Sequence, residues 1–190
     1  ILEAADGAGT ALLAGGLNVF NCAYLYLLGL KIIPEPAGDA LHLERCSYVL
    51  LRNVTLDSRG AAQETFKANQ CDHLYVEDCE VCGSYWSALD YVATQYGHIV
   101  RSKIHDAGDW CMYLKGGSAY FRIEGNELYD LGGGGIGAGG CNVAGNYLYA
   151  APPPAPDAYR GYRIANNYIH HCGTDYYGGG AGGKYNSDSG

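Results

Sequence analysis

Two lysines, a tyrosine and an aspartate recur at a spacing that can place them along two neighbouring lines. His42, Lys67, Asp90, Tyr113 and Gly137 follow one another at 23 to 25 residues, and so do Glu44, Asn69, Val92, Lys115 and Gly139. β-Elimination of a uronate-containing polymer needs a cation beside the sugar carboxylate, to steady enolate-like charge, and a base to take the carbon-bound proton. Lys67, Tyr113 and Lys115 are the candidates for those catalytic roles, with His42, Glu44, Asn69 and Asp90 as residues that hold the substrate beside them. Hydrolysis fits less well, because it asks for two carboxylates roughly 5 to 9 Å apart. On these lines only Asp90 and Glu44 qualify, and they stand two repeats apart. The plain alternative is a solvated surface, where polar residues are normal.

Such lines require a repeating scaffold, and the sequence has one. Leu27, Leu51, Val76, Ile99, Ile123, Val143 and Ile164 form one apolar column, Ile32, Leu56, Val81, Ile104, Leu128, Leu148 and Ile169 another. Apolar residues two apart within each repeat put side chains on one face of a strand, so each repeat reads as a coil of short strands. The column Gly29, Asn53, Asp78, Arg101, Gly125, Gly145 and Asn166 is rich in residues that tolerate a left-handed backbone, which marks a corner. Asn126, Asn146 and Asn167 stand one position further on and are suited to bond one another from coil to coil. On the strand before these columns, pairs such as Leu41 and Leu43, Phe66 and Ala68, and Met112 and Leu114 face inward, which turns the two lines of polar residues outward.

With phrases such as Leu128-Tyr-Asp-Leu-Gly132, Ile104-His-Asp-Ala-Gly108 and Ile169-His-His-Cys-Gly173, the chain resembles the right-handed parallel β-helix proteins of the pectate-lyase-like kind. The resemblance implies an all-β, right-handed parallel β-helix solenoid of about seven coils with an asparagine ladder, spanning residues 1–173, followed by a Gly/Tyr-rich loop or tail at 174–190. It also implies a secreted or cell-surface protein whose groove lies on the first sheet of the coil. The chain has no adjacent-aspartate and G-H-G set, no D-P-H-D and no N-G-x-E-x-x-R, so the resemblance speaks for architecture and matches no specific enzyme family.

Composition narrows the partners. A net charge of −8 and the lack of any Lys/Arg run argue against nucleic acid, and no stretch is long and apolar enough to span a membrane. Eighteen tyrosines, with Trp86 and Trp110, offer faces on which sugars stack, or a surface for another protein. Cys22, Cys46 and Cys71 share one column and should stack inward, either with one pair oxidised or as buried thiols; Cys79-x-x-Cys82 has no second pair to make a zinc site. No cofactor is expected; calcium at Asp106, Asp109 and Asp130 is an open alternative without a compact ligand motif. Ala150 to Asp157, with four prolines, reads as a stiff excursion between coils six and seven. Neither end reads as a cap, which suggests a piece of a longer solenoid or ends covered by neighbouring subunits. The expectation is a solenoid that binds extracellular polysaccharide, with cleavage left open. The alternative is a non-catalytic structural or adhesive solenoid that self-associates end to end.

Overall fold

The computed structural model of the chain describes residues 1–35, 38–139 and 161–173. These contain eighteen strands and no helix, wound as a parallel β-helix of about six turns. Each coil contributes to three faces. The first face stacks β3 (Leu17–Phe20), β6 (Leu41–Glu44), the ends of β8 (Thr55–Asn69) and β10 (Glu80–Val92), β13 (Met112–Lys115) and β16 (Ile136–Ala138). The second stacks β1 (Leu2–Glu3), β4 (Tyr26–Leu28), β7 (Ser47–Arg52), β9 (Asp72–Glu77), β11 (Gln95–Val100), β14 (Ala119–Glu124) and β17 (Arg163–Ala165). The third stacks β2 (Ala11–Ala14), β5 (Leu30–Ile33), the starts of β8 and β10, β12 (Lys103–Ala107), β15 (Glu127–Leu131) and β18 (Tyr168–Cys172). All pairings are parallel, and apart from the corner of β8 and β10 they keep register from coil to coil, as in Leu51↔Val76 and Ile99↔Ile123.

Two expectations need correction. β8 and β10 are not short: they run through the corner with register shifts and join the first and third faces into one eleven-stranded sheet. The coil count also falls, because Ile123 pairs directly with Ile164 and Leu128 with Ile169, leaving no rung between them for the coil expected at Val143. Val143 itself, the proline-rich stretch and residues 174–190 lie outside the described residues.

The interior follows the apolar columns. Leu27, Leu51, Val76, Ile99 and Ile123 are fully buried, as are Leu41, Leu43, Phe66, Ala68, Met112 and Leu114 beneath the first face. Each large side chain so buried contributes roughly 1.5–3 kcal/mol. At the corner, Gly29, Asn53, Asp78, Arg101, Gly125 and Asn166 all have φ between 52° and 66°. Arg101 is the chemical exception in that column, and its guanidinium is tied to Asp78 of the preceding coil by two bonds of 2.8 Å.

The ladder inside this corner joins Asn126 to Asn167 and continues through other residue types, while Asn146 lies outside the described residues. Asn126 Nδ2 donates to Ile99 O and to Asn167 Oδ1 (2.9 Å each), while its Oδ1 accepts from Ser102 N–H at 2.9 Å. Ser102 Oγ in turn accepts from Cys79 N–H at 3.1 Å. The expected inward cysteine column lines the opposite corner, where Cys46 N–H faces Cys71 Sγ (3.5 Å), and it continues as a ladder through Thr94, whose N–H donates to Ser118 Oγ (3.1 Å). The seven described cysteines are free, and burial pushes the Cys71 thiol up to about 12 and Cys79 to about 11. The thiol alternative, not the oxidised pair, therefore describes this column.

Candidate functional site

The first face carries the two lines in the expected register. His42 pairs with Lys67, Lys67 with Asp90, Asp90 with Tyr113 and Tyr113 with Gly137. Beside them Glu44 pairs with Asn69, Asn69 with Val92 and Val92 with Lys115. Alternation on a pleated strand explains why Leu and Phe neighbours go inward while these residues face out.

The centre of the site is Asp90, which is only 1% exposed although its strand position faces outward. It is covered by the two lysines it binds: Lys67 Nζ is in direct contact with Asp90 Oδ2, and Lys115 Nζ lies 3.1 Å from Asp90 Oδ1. Lys67 also meets Glu64 at 3.6 Å. Burial works against the Lys67 ammonium, but the Asp90 and Glu64 carboxylates more than offset it and raise its pKa above the ordinary lysine value. Lys67 is therefore a fixed cation and unsuited to act as a base. Lys115 sits 4.5 Å above the Tyr113 ring centre, a cation–π contact.

A third line, missed from the sequence, completes the face: Asp39, Glu64, Ser87, Trp110 and Gly134 stand three residues before the members of the His42 line. Glu64 pairs with Ser87, and Ala88 N–H and Cys111 N–H donate to Trp110 O and Gly134 O in the next coils. The same 23-to-25-residue spacing was available to find it. Burial raises the carboxyls of Asp39 and Glu64 against the pull of the nearby cations. Asp39 Oδ2 is 3.7 Å from His42 Nδ1, and His42 Nε2 is 3.4 Å from Asn69 Nδ2. Glu44 does not join the cluster; it turns to Arg45 at 2.5 Å. The carboxylates gathered around Lys67 are thus Asp90 and Glu64, not Asp90 and Glu44.

At the other end of the face the surroundings change from charged to aromatic. Trp110 and Tyr113 lie with ring centres 5.7 Å apart and planes 26° from parallel. Beneath them pass glycines of the next coil. A Cβ added at Gly137 would come within 2.8 Å of Tyr113 Cδ2, and one at Gly134 within 2.8 Å of Trp110 Cε3. Only glycine leaves room for the rings to lie down on that backbone. Asp109 adjoins this platform, accepts a hydrogen bond from Trp86, and is raised to about 6 by burial.

The aspartates weighed for calcium do not gather. Asp106 is 2.7 Å from His105 Nδ1, Asp130 is 3.8 Å from His171 Nδ1, and Asp109 lies by Trp86; among the described residues no three His, Cys, Asp or Glu side chains converge as a metal set. Cys79 is buried and Cys82 partly so, and both stay free. A hollow of about 430 Å³ lies elsewhere, at the Asn53 corner. Its Asp78 and Arg101 are already paired with each other. No helix of the described residues is long and apolar enough to cross a membrane. No protein-family model matches the chain, and no curated protein matches it.

Proposed function

We propose that the first face binds an extended uronate-containing polysaccharide outside the cell and breaks it by β-elimination. The observation that carries this reading is the pairing of two lysines, both fixed by buried Asp90, with an aromatic platform that shares the coil of Lys115 and lies on glycines of the next coil. Sugar rings stack on Trp110, and the uronate carboxylate meets Lys115, which already lies over the Tyr113 ring, and Lys67. Tyr113, acting as its phenolate, takes the proton from the carbon that bears the carboxylate and becomes the phenol. The electrons form a carbon–carbon double bond, the neighbouring glycosidic C–O bond breaks, and the departing oxygen takes up the proton from the Tyr113 phenol, which returns the base to its starting state. Because Asp90 already orients both ammonium groups, little reorganisation is needed as negative charge develops on the substrate.

The test is a panel of uronate polysaccharides followed by ultraviolet absorbance of new unsaturated ends. The expected result is a rise that Tyr113→Phe lowers by about 10²-fold or more and Lys115→Ala also lowers. A flat trace with folded protein, together with unchanged migration of the chain in polysaccharide-containing gels, would overturn the reading.

A second reading has its own observation. β1, β2 and β3 each have a single partner strand, and Leu12 and Phe20 on them are half or more exposed. Stacking of a second copy on that edge would make the solenoid a filament unit, and sedimentation that stays monomeric at high concentration would remove it.

A further inference from the structure

The bend before the second face carries a ring in five successive coils. Tyr24, Tyr48, His73, Tyr96 and Tyr120 follow at 23 to 25 residues, each with φ between 52° and 63°. Their ring centres are 5.0, 4.4, 5.3 and 4.7 Å apart in that order, with planes 8°, 21°, 20° and 11° from parallel. Gly161 takes the next place, close over the Tyr120 ring. A left-handed backbone is unfavourable for a bulky residue, and Asn or Gly would suit the bend better. The core does not require these rings, since they lie outside it and Tyr24 is 68% exposed. Stacked on one another, they offer a sugar little open face. What they present to solvent is phenol edges and hydroxyls.

We propose that this column is a site of oxidative cross-linking, at which a one-electron oxidant of the haem-peroxidase class, consuming hydrogen peroxide, joins Tyr24 to Tyr48 and Tyr96 to Tyr120. Each phenol loses an electron and its hydroxyl proton. The two radicals form a bond between ring carbons ortho to oxygen, and the displaced ring hydrogens move to the oxygens to restore two phenols. The two hydrogens lost per bond reduce one peroxide to two waters.

The backbone holds the partners together before oxidation. Tyr24 N–H donates to Ser47 O at 3.0 Å, and Gln95 pairs with Ala119 in β11 and β14. A bond within one molecule is thereby favoured over one between molecules, because the second ring is already in place. His73, an imidazole, splits the column into two tyrosine pairs and forbids a Tyr48–Tyr96 bond. Each bond would staple one coil to the next across 24 residues of chain.

The full chain is treated at low concentration with a haem peroxidase and hydrogen peroxide, digested, and mapped by mass spectrometry alongside dityrosine fluorescence. The expected product is monomeric, lighter by two hydrogens per bond, with Tyr24–Tyr48 and Tyr96–Tyr120 peptides. The double variant Tyr48→Phe, Tyr120→Phe, which keeps the stack, loses that fluorescence. His73→Tyr adds a bond from position 73 to Tyr48 or Tyr96. Bonds formed as readily at Tyr26, Tyr85 or Tyr129, bonds only between molecules, or no bonds at all would each overturn the proposal.

Discussion

Aromatic rings occur on two sides of the same coils and end up with opposite properties. On the first face Trp110 and Tyr113 are followed in the next coil by Gly134 and Gly137, so they lie flat on bare backbone. At the tyrosine bend each ring is followed by another ring, and the faces cover one another. In a parallel in-register solenoid a side chain's neighbour is the same column one coil on. A ring's availability is thus decided some 24 residues away in the sequence, by whether that neighbour is glycine or another aromatic residue.

The two regions also differ in what holds them, and the strongest way to expose that is to remove Asp90. Asp90→Ala leaves the Lys67 and Lys115 ammonium groups facing each other without their shared carboxylate. Breaking a buried ion pair by removing one partner costs about 3–5 kcal/mol, and urea unfolding should report a loss at the lower end, because both lysines keep some contact with water. Tyr48→Ala removes two ring stacks but leaves no buried charge, so it should cost about 1 kcal/mol. Equal losses for the two variants would show that the charged cluster does not anchor the first face.

A smaller effect tests the glycine floor. Gly137→Val puts a branched side chain under Tyr113, where a single carbon already comes within 2.8 Å. The ring must tilt, at about 1–3 kcal/mol in stability, and polysaccharide affinity should fall about tenfold, in line with the roughly 0.5–1.5 kcal/mol of an aromatic contact. Gly161→Ala at the end of the tyrosine column should leave affinity unchanged. If both substitutions weaken binding equally, the platform is not where the sugar lies.

The repeat made the first face legible. The alternating apolar pairs on the strand before the columns, such as Leu41 and Leu43, Phe66 and Ala68, and Met112 and Leu114, place His42, Lys67, Asp90 and Tyr113 in one register facing outward, and the pairing bears out that register. The same logic overlooked Asp39 and Glu64 and did not align Trp110 with them, because Asp39 and Trp110 precede their strands and Glu64 follows the register shifts of β8, where alternation does not carry over and polarity alone does not reveal direction. The expected coil at Val143 failed for a different reason. Its apolar pattern matches the columns, yet Ile123 already pairs with Ile164. A matching pattern shows that a segment is able to form a rung, whereas pairing shows which segment holds it. Ladder chemistry was only partly readable, since Cys79, Ser102 and Asn126 share one role, donor or acceptor inside a bend, without sharing a residue type.

The finest distinction between the two regions is their response to pH. Burial raises Asp109, beside the platform, from 3.8 to about 6, with Trp86 and Lys115 pulling it part of the way back. A carboxyl whose folded pKa lies above its unfolded one favours the neutral form in the fold. Its contribution to stability is therefore complete below about pH 4 and is lost as pH rises through about 6. Asp109→Asn keeps an acceptor for the Trp86 indole and stays neutral throughout. Relative to the unaltered protein, the variant should gain stability between pH 4 and pH 7, read as a shift of the urea midpoint, and carboxyl titration by nuclear magnetic resonance should show Asp109 near 6. Function should move with it. As pH falls from 7 to 5 the platform loses a negative charge next to Lys115, so a polyanionic sugar chain should bind more tightly to the unaltered protein, while Asp109→Asn should show a weaker dependence over that interval. A titration midpoint near 4 would remove the premise; identical pH dependence in the two proteins would place the polyanion away from Asp109 and away from the platform it adjoins.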